Sequence, residues 1–506
     1  MGKRIRIIAT SDIHGFIYPT SYADGSDQNQ GMAKLSTLIQ DLRDENTILI
    51  DNGDNLEGSP LSFFHYHRHP GEISPMTLAM NAMEYDYINI GNHDFNYGEK
   101  ALMNHLKALD APCITSNILY KHEPLGATYA IRECAGKKVA IFGVCTQYVP
   151  NWETAEHIRR FSFLDACETA KKTVELVRRM EKPDYIVCVY HGGFERDLYS
   201  GLPTEELTGE NEGYQILQEV PGIDVLITGH QHRSICGTFR NTAYTQIAAN
   251  GAELAVIDLY TDTHKAETQI LAADTRSDLE IERLVSDEEA ECQQWLDTPL
   301  GVSDIDLSVT DETHARLSKA QIITFMNMVA MNATGAEISA SSLFLHATGL
   351  SRQITMRNIV STYVYPNTLV VKQVTGKILK EYLERDAEFW TIRNERIAVS
   401  PRFDYPKPQH YNYDMLDGVS YTIKVTNDIG SRILDLTYQG QPVTDDMTFT
   451  LCVNNYRAVG GGNFPMLAGA PVVKEVQSSM VELMAEYIME KKVIDFVPVD
   501  NIKVIL

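Results

Sequence analysis

The sequence predicts an α/β fold for its first half and a second, mixed α+β domain for the remainder. Two features carry this prediction. Short apolar runs bounded by turn residues recur up to about Tyr260, several of them separated by helix-like stretches. Near Thr275–Leu300 the composition then turns charged and helix-favouring (RSDLEIERLVSDEEAECQQWLD). The 506-residue length exceeds what one core comfortably holds and supports the same division. The expected domains are 1–275 and 316–506, joined by a linker helix region over 276–315.

The first-half strands are expected at Arg4–Thr10, Thr47–Asp51, Tyr87–Ile90, Lys138–Val144, Tyr185–Tyr190, Asp224–Thr228 and Leu254–Tyr260. Helices are expected at Ala33–Arg43, Pro75–Met83 and Ala166–Met180. In the second half, helices are read at Ala320–Met331 and Lys377–Glu388. Strands there are read at Thr368–Val374, Ser420–Lys424 and Thr448–Val453.

With 68 acidic and 44 basic residues the formal net charge is −24, which disfavours duplex nucleic acid and anionic membranes as partners. A small phosphorylated substrate stays open, because a local cation reverses the field inside one cleft. The eight cysteines contain no C-x-x-C pair, and Cys145 and Cys188 lie in apolar runs, as free core thiols do. With no signal-peptide core and no long apolar run, a cytoplasmic location is expected.

Five of the first-half strands end in a burst of Asp, His or Asn. These endings are SDIHG (Asp12, His14), NGD (Asp54), GNHD (Asn92, His93, Asp94), HGG (His191) and GHQH (His230, His232). Singly, each reads as a turn, a helix cap or a surface histidine. Together they terminate strands of one domain, beside Gly53, Gly91, Gly192 and Gly229, and ligands of α/β sheets sit beyond the carboxyl ends of strands. A shared metal site follows. Carboxylate, imidazole and amide donors without thiolate suit Mn, Fe, Co or catalytic Zn, and one carboxylate can bridge two ions.

In that order, D-x-H, G-D, G-N-H-[DE], H and G-H-x-H resemble the 5′-nucleotidase family of calcineurin-like metallophosphoesterases. The resemblance continues through YNYDML at Tyr411–Leu416 and NNYRAVGGGNF at Asn454–Phe464. GNHDFNYG, ITMRNIVSTYVYPNTL and NNYRAVGGGNF read much like the motifs of the bacterial 2′,3′-cyclic-nucleotide 2′-phosphodiesterase/3′-nucleotidases. The resemblance implies a four-layer α/β/β/α sandwich followed by an α+β nucleotide-binding domain, and two divalent metal ions. It implies Asp12, His14, Asp54 and His232 around one ion, with Asp54 bridging to a second held by Asn92, His191 and His230. His93 is implied as a transition-state group, Asn96 as its partner, and Tyr411 and Tyr456 as a sandwich for the base, with Tyr413 as the substitute. Asp94, outside the ligand set, is expected to tolerate replacement by Asn far better than Asp54 does.

Two departures separate the chain from the 5′-nucleotidase branch. Asn96 stands where that branch pairs the histidine with Asp, and SASSLF, near Ala340–Leu345, lacks the branch's arginine. Both favour hydrolysis of 2′,3′-cyclic nucleotides to 3′-nucleotides and then nucleosides. The alternatives are a 5′-nucleotidase or nucleotide pyrophosphatase on the same scaffold, and a non-catalytic nucleotide-binding protein. A nicotinamide-dependent dehydrogenase is excluded, since no G-x-G-x-x-G follows an early strand.

Overall fold

A computed structural model describes residues 4–204, 207–263, 265–365, 367–405, 407–476 and 478–506; Met1–Lys3 of the opening segment and Pro366 of the ITMRNIVSTYVYPNTL motif lie outside them. The chain divides into two compact units, Met1–Cys292 and Gln293–Leu506.

The first unit contains two large sheets. One runs in the order Lys265–Ala272, Glu253–Tyr260, Arg4–Thr10, Thr47–Asp51, Tyr87–Ile88. The other runs Ile235–Phe239, Thr242–Gln246, Val225–Thr228, Tyr185–His191, Lys137–Cys145, Ala130–Cys134. Alternation along the strands explains how they stack. Val139, Ile141, Val187 and Val189 face one apolar interior together with Ile5, Ile7, Ile48 and Ile50 of the first sheet. Ala140, Phe142, Ile186 and Cys188 point the other way, onto Ala166–Met180. That helix presents Cys167, Ala170, Val174 and Val177 at i, i+3, i+7 and i+10, and Asp165 caps it by accepting from the Glu168 N–H. Each fully buried valine contributes about 1.5–3 kcal/mol, so the periodicity is backed by substantial energy.

The strands that carry the polar bursts are parallel within each sheet. Arg4–Thr10 pairs parallel with Thr47–Asp51, which pairs parallel with Tyr87–Ile88, and Val225–Thr228 pairs parallel with Tyr185–His191. Their carboxyl ends therefore open on one edge of each sheet. Two buried asparagines tie the edges together. Asn52 donates to Tyr190 O at 3.1 Å, and Asn89 donates to Asn52 Oδ1, to Val144 O and to Val189 O.

The charged stretch after Thr275 differs from the single connecting helix expected of it. Two helices, Leu279–Leu284 and Ser286–Leu296, meet at Val285, and the first of them with much of the second belongs to the first unit. Ile281, Val285 and Cys292 are buried. Asp278 accepts from Ser36 and Gln40, and Glu289 accepts from Tyr22 at 2.8 Å. The acidic residues that look like solvated linker surface are partly spent on side-chain hydrogen bonds to the body of the unit.

In the second unit a five-stranded sheet runs Asp414–Asp417, Ile338–Ser342, Thr448–Asn454, Leu369–Thr375, Val472–Val476. A four-stranded sheet runs Gln441–Pro442, Ile433–Tyr438, Val419–Lys424, Ile502–Ile505. SASSLF falls on the Ile338–Ser342 strand and just after it, and buried Arg316, from elsewhere in the sequence, donates to Leu343 O at 2.8 Å. No helix among the described residues is long and apolar enough to cross a membrane.

His105 gives the first unit a pH-sensitive contribution to stability. It is buried in the Gly98–Ala108 helix, its Nδ1 2.8 Å from Thr77 Oγ1, and burial pulls its pKa from 6.5 down to about 4. Above pH 6.5 the ring is neutral folded or unfolded. As pH falls from 6.5 to about 4 only the unfolded chain takes the proton, so up to about 3 kcal/mol is lost. Urea unfolding at pH 7 and pH 4.5 should show His105→Gln losing markedly less stability over that interval than the wild type; equal losses would remove His105 from the account.

Candidate metal centre

The backbone at the strand ends turns the side chains inward. Asp12, His14, Asp54, His230 and His232 all have positive φ, between 53° and 65°. This left-handed region costs a non-glycine residue about 1–3 kcal/mol, although Asp and His enter it more readily than most. Five such residues in one place form a strained constellation, held by pairing between loops. Asp12 N–H donates to Gly53 O and His14 N–H to Asp54 O, both at 2.9 Å.

The four glycines singled out in the sequence serve two purposes. Gly53 alone of them has positive φ, at 87°. Gly91 and Gly229 are needed for space, because a Cβ on Gly91 would strike the Asp54 carboxylate and one on Gly229 would strike Ser11 and Asp12.

Two groups of side chains converge with ligand atoms within 4.8 Å of one another: Asp12, His14 and His232, and Asp54, His191 and His230. In the first, His14 Nδ1 donates to Glu57 O at 2.9 Å, so a neutral ring keeps its lone pair on Nε2. That lone pair faces His232 Nε2 at 3.1 Å, and His232 Nε2 lies 3.4 Å from Asp12 Oδ1. In the second, His191 Nδ1 donates to Asn52 O at 2.7 Å, and its Nε2 lies 3.1 Å from Asp54 Oδ2 and 3.2 Å from Asn92 Oδ1. His230 Nδ1 lies 2.8 Å from the same Asn92 oxygen, while its Nε2 meets Glu210 Oε1 at 3.0 Å.

This donor set fits divalent cations. Asp54 Oδ2 is buried with no hydrogen-bond partner, an expense that a cation would offset. The second ring nitrogens of His14, His191 and His230 are tied to a carbonyl or carboxylate in the way that fixes a metal-binding tautomer. The electrostatics agree. Burial opposes charge on Asp54, yet His191 and His93 hold its carboxyl well below the ordinary range. Burial likewise opposes charge on His191, but Asp54 and then Asp12 raise it to about 10. Burial and the neighbouring His232 push His14 down to about 3.

His93 stands beside these groups. Its N–H donates to Asp54 Oδ1 at 2.7 Å, and its ring Nδ1 donates to Asn96 Oδ1 at 2.7 Å. Asn96 in turn donates to Glu153 Oε2 at 2.7 Å, which fixes which end of the amide faces the imidazole. Asp94, outside both ligand groups, has a structural task of its own. Its two oxygens accept four backbone N–H groups, from Asp54, Asn55, Leu56 and Gly91, at 2.8–3.1 Å.

In the second unit, Tyr411 and Tyr456 are half-buried, and Arg457 links their segments. Its guanidinium donates to Tyr411 O, Asn412 Oδ1, Gly461 O and both Asp414 oxygens. Tyr413 cannot substitute for either tyrosine. It is fully buried, stacked on Phe389 with ring centres 4.8 Å apart.

A calcineurin-like phosphoesterase profile matches residues 5–234, and a 5′-nucleotidase C-terminal domain profile matches residues 299–469. A Staphylococcus aureus crystal structure, provisionally described as a 5′-nucleotidase and solved with α-ketoglutarate, is 35% identical, covers both chains fully and superposes with a TM-score of 0.93. The chain belongs to the 5′-nucleotidase family of calcineurin-like metallophosphoesterases. A Haemophilus influenzae 2′,3′-cyclic-nucleotide 2′-phosphodiesterase/3′-nucleotidase is 27% identical over 96% of this chain and 84% of its own. Escherichia coli protein UshA is 21% identical over 97% of this chain and 92% of its own.

Sequence reasoning missed several residues that shape the centre of this metallophosphoesterase. Glu57 is 1% exposed with its Oε2 3.3 Å from His93 Nδ1, and burial, opposed by the charge of His93, pushes it up to about 7. Glu210 supports His230, and Trp152 stacks on the His230 ring at 5.3 Å. Glu57 had a signal, lying three residues after Asp54 in NGDNLEG. Glu210 and Trp152 lie in loops where nothing in the local pattern marks them.

Proposed function

We propose that this metallophosphoesterase hydrolyses nucleotide phosphoesters, opening the 2′ P–O bond of 2′,3′-cyclic nucleotides and then removing the 3′-phosphate to leave nucleosides. The observation that carries this reading is the adjacency of two ligand groups, with His93 held beside them by the bond from its N–H to Asp54. Similarity to the Haemophilus influenzae enzyme over most of both chains supports the substrate class.

Asp12, His14, Asp54 and His232 would hold one divalent cation, and Asp54, Asn92, His191 and His230 would hold a second, drawn from Mn, Fe, Co or Zn. When bound, such a pair lowers the pKa of water towards about 7 and neutralises charge on the phosphoryl oxygens. The protein's own part is orientation. The carbonyls of Glu57 and Asn52 aim His14 and His191, and Asn96 aims His93 so that Nε2 meets an oxygen of the phosphoester. Positive charge on His93 stabilises that oxygen as the leaving bond breaks. Tyr411 and Tyr456 stack on the base, with Arg457 fixing their segments.

A panel of 2′,3′-cAMP, 3′-AMP, 5′-AMP and bis-p-nitrophenyl phosphate with Mn²⁺ tests the reading, with the cyclic and 3′-nucleotides expected to turn over fastest. Tyr456→Ala should lower kcat/KM for nucleotides by roughly 5- to 150-fold, through KM, and largely spare bis-p-nitrophenyl phosphate. Equal losses on both substrates would make Tyr456 a structural residue. A second reading, 5′-nucleotide hydrolysis, is favoured by the carboxylate of Glu57 beside His93, and preference for 5′-AMP in the same panel would select it.

A further inference from the structure

We propose that Trp152 is a specificity-determining residue. With Tyr148 it forms an aromatic wall beside the metal centre, one that favours an acyclic phosphodiester whose second organic group is aromatic over one whose second group is alkyl. This rests on the phosphoesterase reading above and names the side chain that selects among its esters.

The wall is delivered by a strand that ends without an Asp, His or Asn burst. Lys137–Cys145 pairs parallel with Tyr185–His191, with Cys145 opposite His191, so its loop leaves the sheet on the edge where the ligands gather. That loop supplies no member of either ligand group and brings Tyr148 and Trp152 instead. It is tied down along its length. Thr146 N–H donates to His191 O at 2.8 Å and its hydroxyl to Glu210 O at 2.6 Å, Val149 is buried, and Glu153 accepts from Asn96 at 2.7 Å. Between these anchors Trp152 lies over the His230 ring, with centres 5.3 Å apart and planes 26° from parallel. Tyr148 meets the indole edge-on at 5.2 Å.

Both rings are half-buried rather than closed into the core, so flat apolar surface stands at the rim of a strongly polar centre. Such surface recognises planar groups by stacking and gives an alkyl group much less. The tyrosines assigned to the base, Tyr411 and Tyr456, belong to the second unit, so the wall on the first unit serves a different group of the ester.

The test compares the Mn-loaded wild type with Trp152→Leu and Trp152→Phe on bis-p-nitrophenyl phosphate and methyl p-nitrophenyl phosphate. The two esters share a leaving group and differ in the group retained. In Trp152→Leu the loss in kcat/KM should be about tenfold larger for the bis-aryl ester, mainly through KM, and Trp152→Phe should recover most of it. Calorimetry should show diphenyl phosphate binding about tenfold more weakly to Trp152→Leu, against a change of about twofold or less for dimethyl phosphate. Metal content should stay at the wild-type level in both variants. Equal losses on the two nitrophenyl esters, or loss of metal, would make Trp152 a brace for His230 and overturn the proposal. Wild-type values in Trp152→Leu overturn it as well, and so does a wild type that cleaves neither ester. A wild type that turns over no nucleotide but shows the expected pattern on the diesters refutes the substrate reading and leaves the Trp152 assignment standing.

Discussion

Asp54→Asn is expected to lose bound metal and on the order of 10³-fold or more of the activity. Asp54 contributes to the site in two ways. Its Oδ1 accepts the His93 N–H at 2.7 Å, while its Oδ2 is buried, lacks a hydrogen-bond partner and faces His191 Nε2 at 3.1 Å. An amide at this position presents either an NH₂ group to the metal site or one to the His93 N–H, and both arrangements clash with a donor or a cation. The loss should exceed the 10- to 100-fold cost of disturbing an outer partner of a ligand, because a bridging group serves both ions. Elemental analysis of purified protein reads the result directly, and two tightly held ions in Asp54→Asn would refute the bridging role. Asp94→Asn makes the comparison informative. It should keep its metals when folded but lose about 2–4 kcal/mol of stability, since an NH₂ group would confront two of the backbone donors now satisfied by its oxygens.

The second large effect belongs to His93. His93→Asn should lower kcat by about 10²–10⁴-fold, the range for a positioned acid–base or charge-stabilising group, with metal content unchanged. The ring is not a member of either converging ligand group. Instead its Nδ1 is taken up by Asn96, with Glu57 beside it, and its side chain keeps 27% exposure where Asp54 and His191, members of the second converging group, have none. Steady-state kinetics paired with metal analysis separates the possibilities, and loss of a metal from this variant would move His93 into the ligand set.

The sequence by itself determined the strands that lead to the site and the residues at their ends. Arg4–Thr10, Thr47–Asp51 and Ala166–Met180 fall where the apolar pattern places them, and the five polar bursts follow strands whose edges the structure brings together. These features are legible because alternation, helical periodicity and turn residues act over a few neighbours along the chain. Edge strands such as Lys265–Ala272, with its largely solvent-facing residues, carry too little apolar pattern to be read that way.

Tertiary structure alone decided the rest. Asp94 became a four-bond anchor and Tyr413 a core residue, and the charged stretch after Thr275 packed onto the first unit. The carboxyl group beside the His93 ring proved to be that of Glu57, while position 96 presents an amide. In each case the deciding partner lies on another loop or strand, so the outcome depends on where strand register and left-handed turns deliver each side chain. A carboxylate 36 positions away in the sequence comes within 3.3 Å only because the loops after two neighbouring parallel strands meet, and no local pattern encodes that meeting.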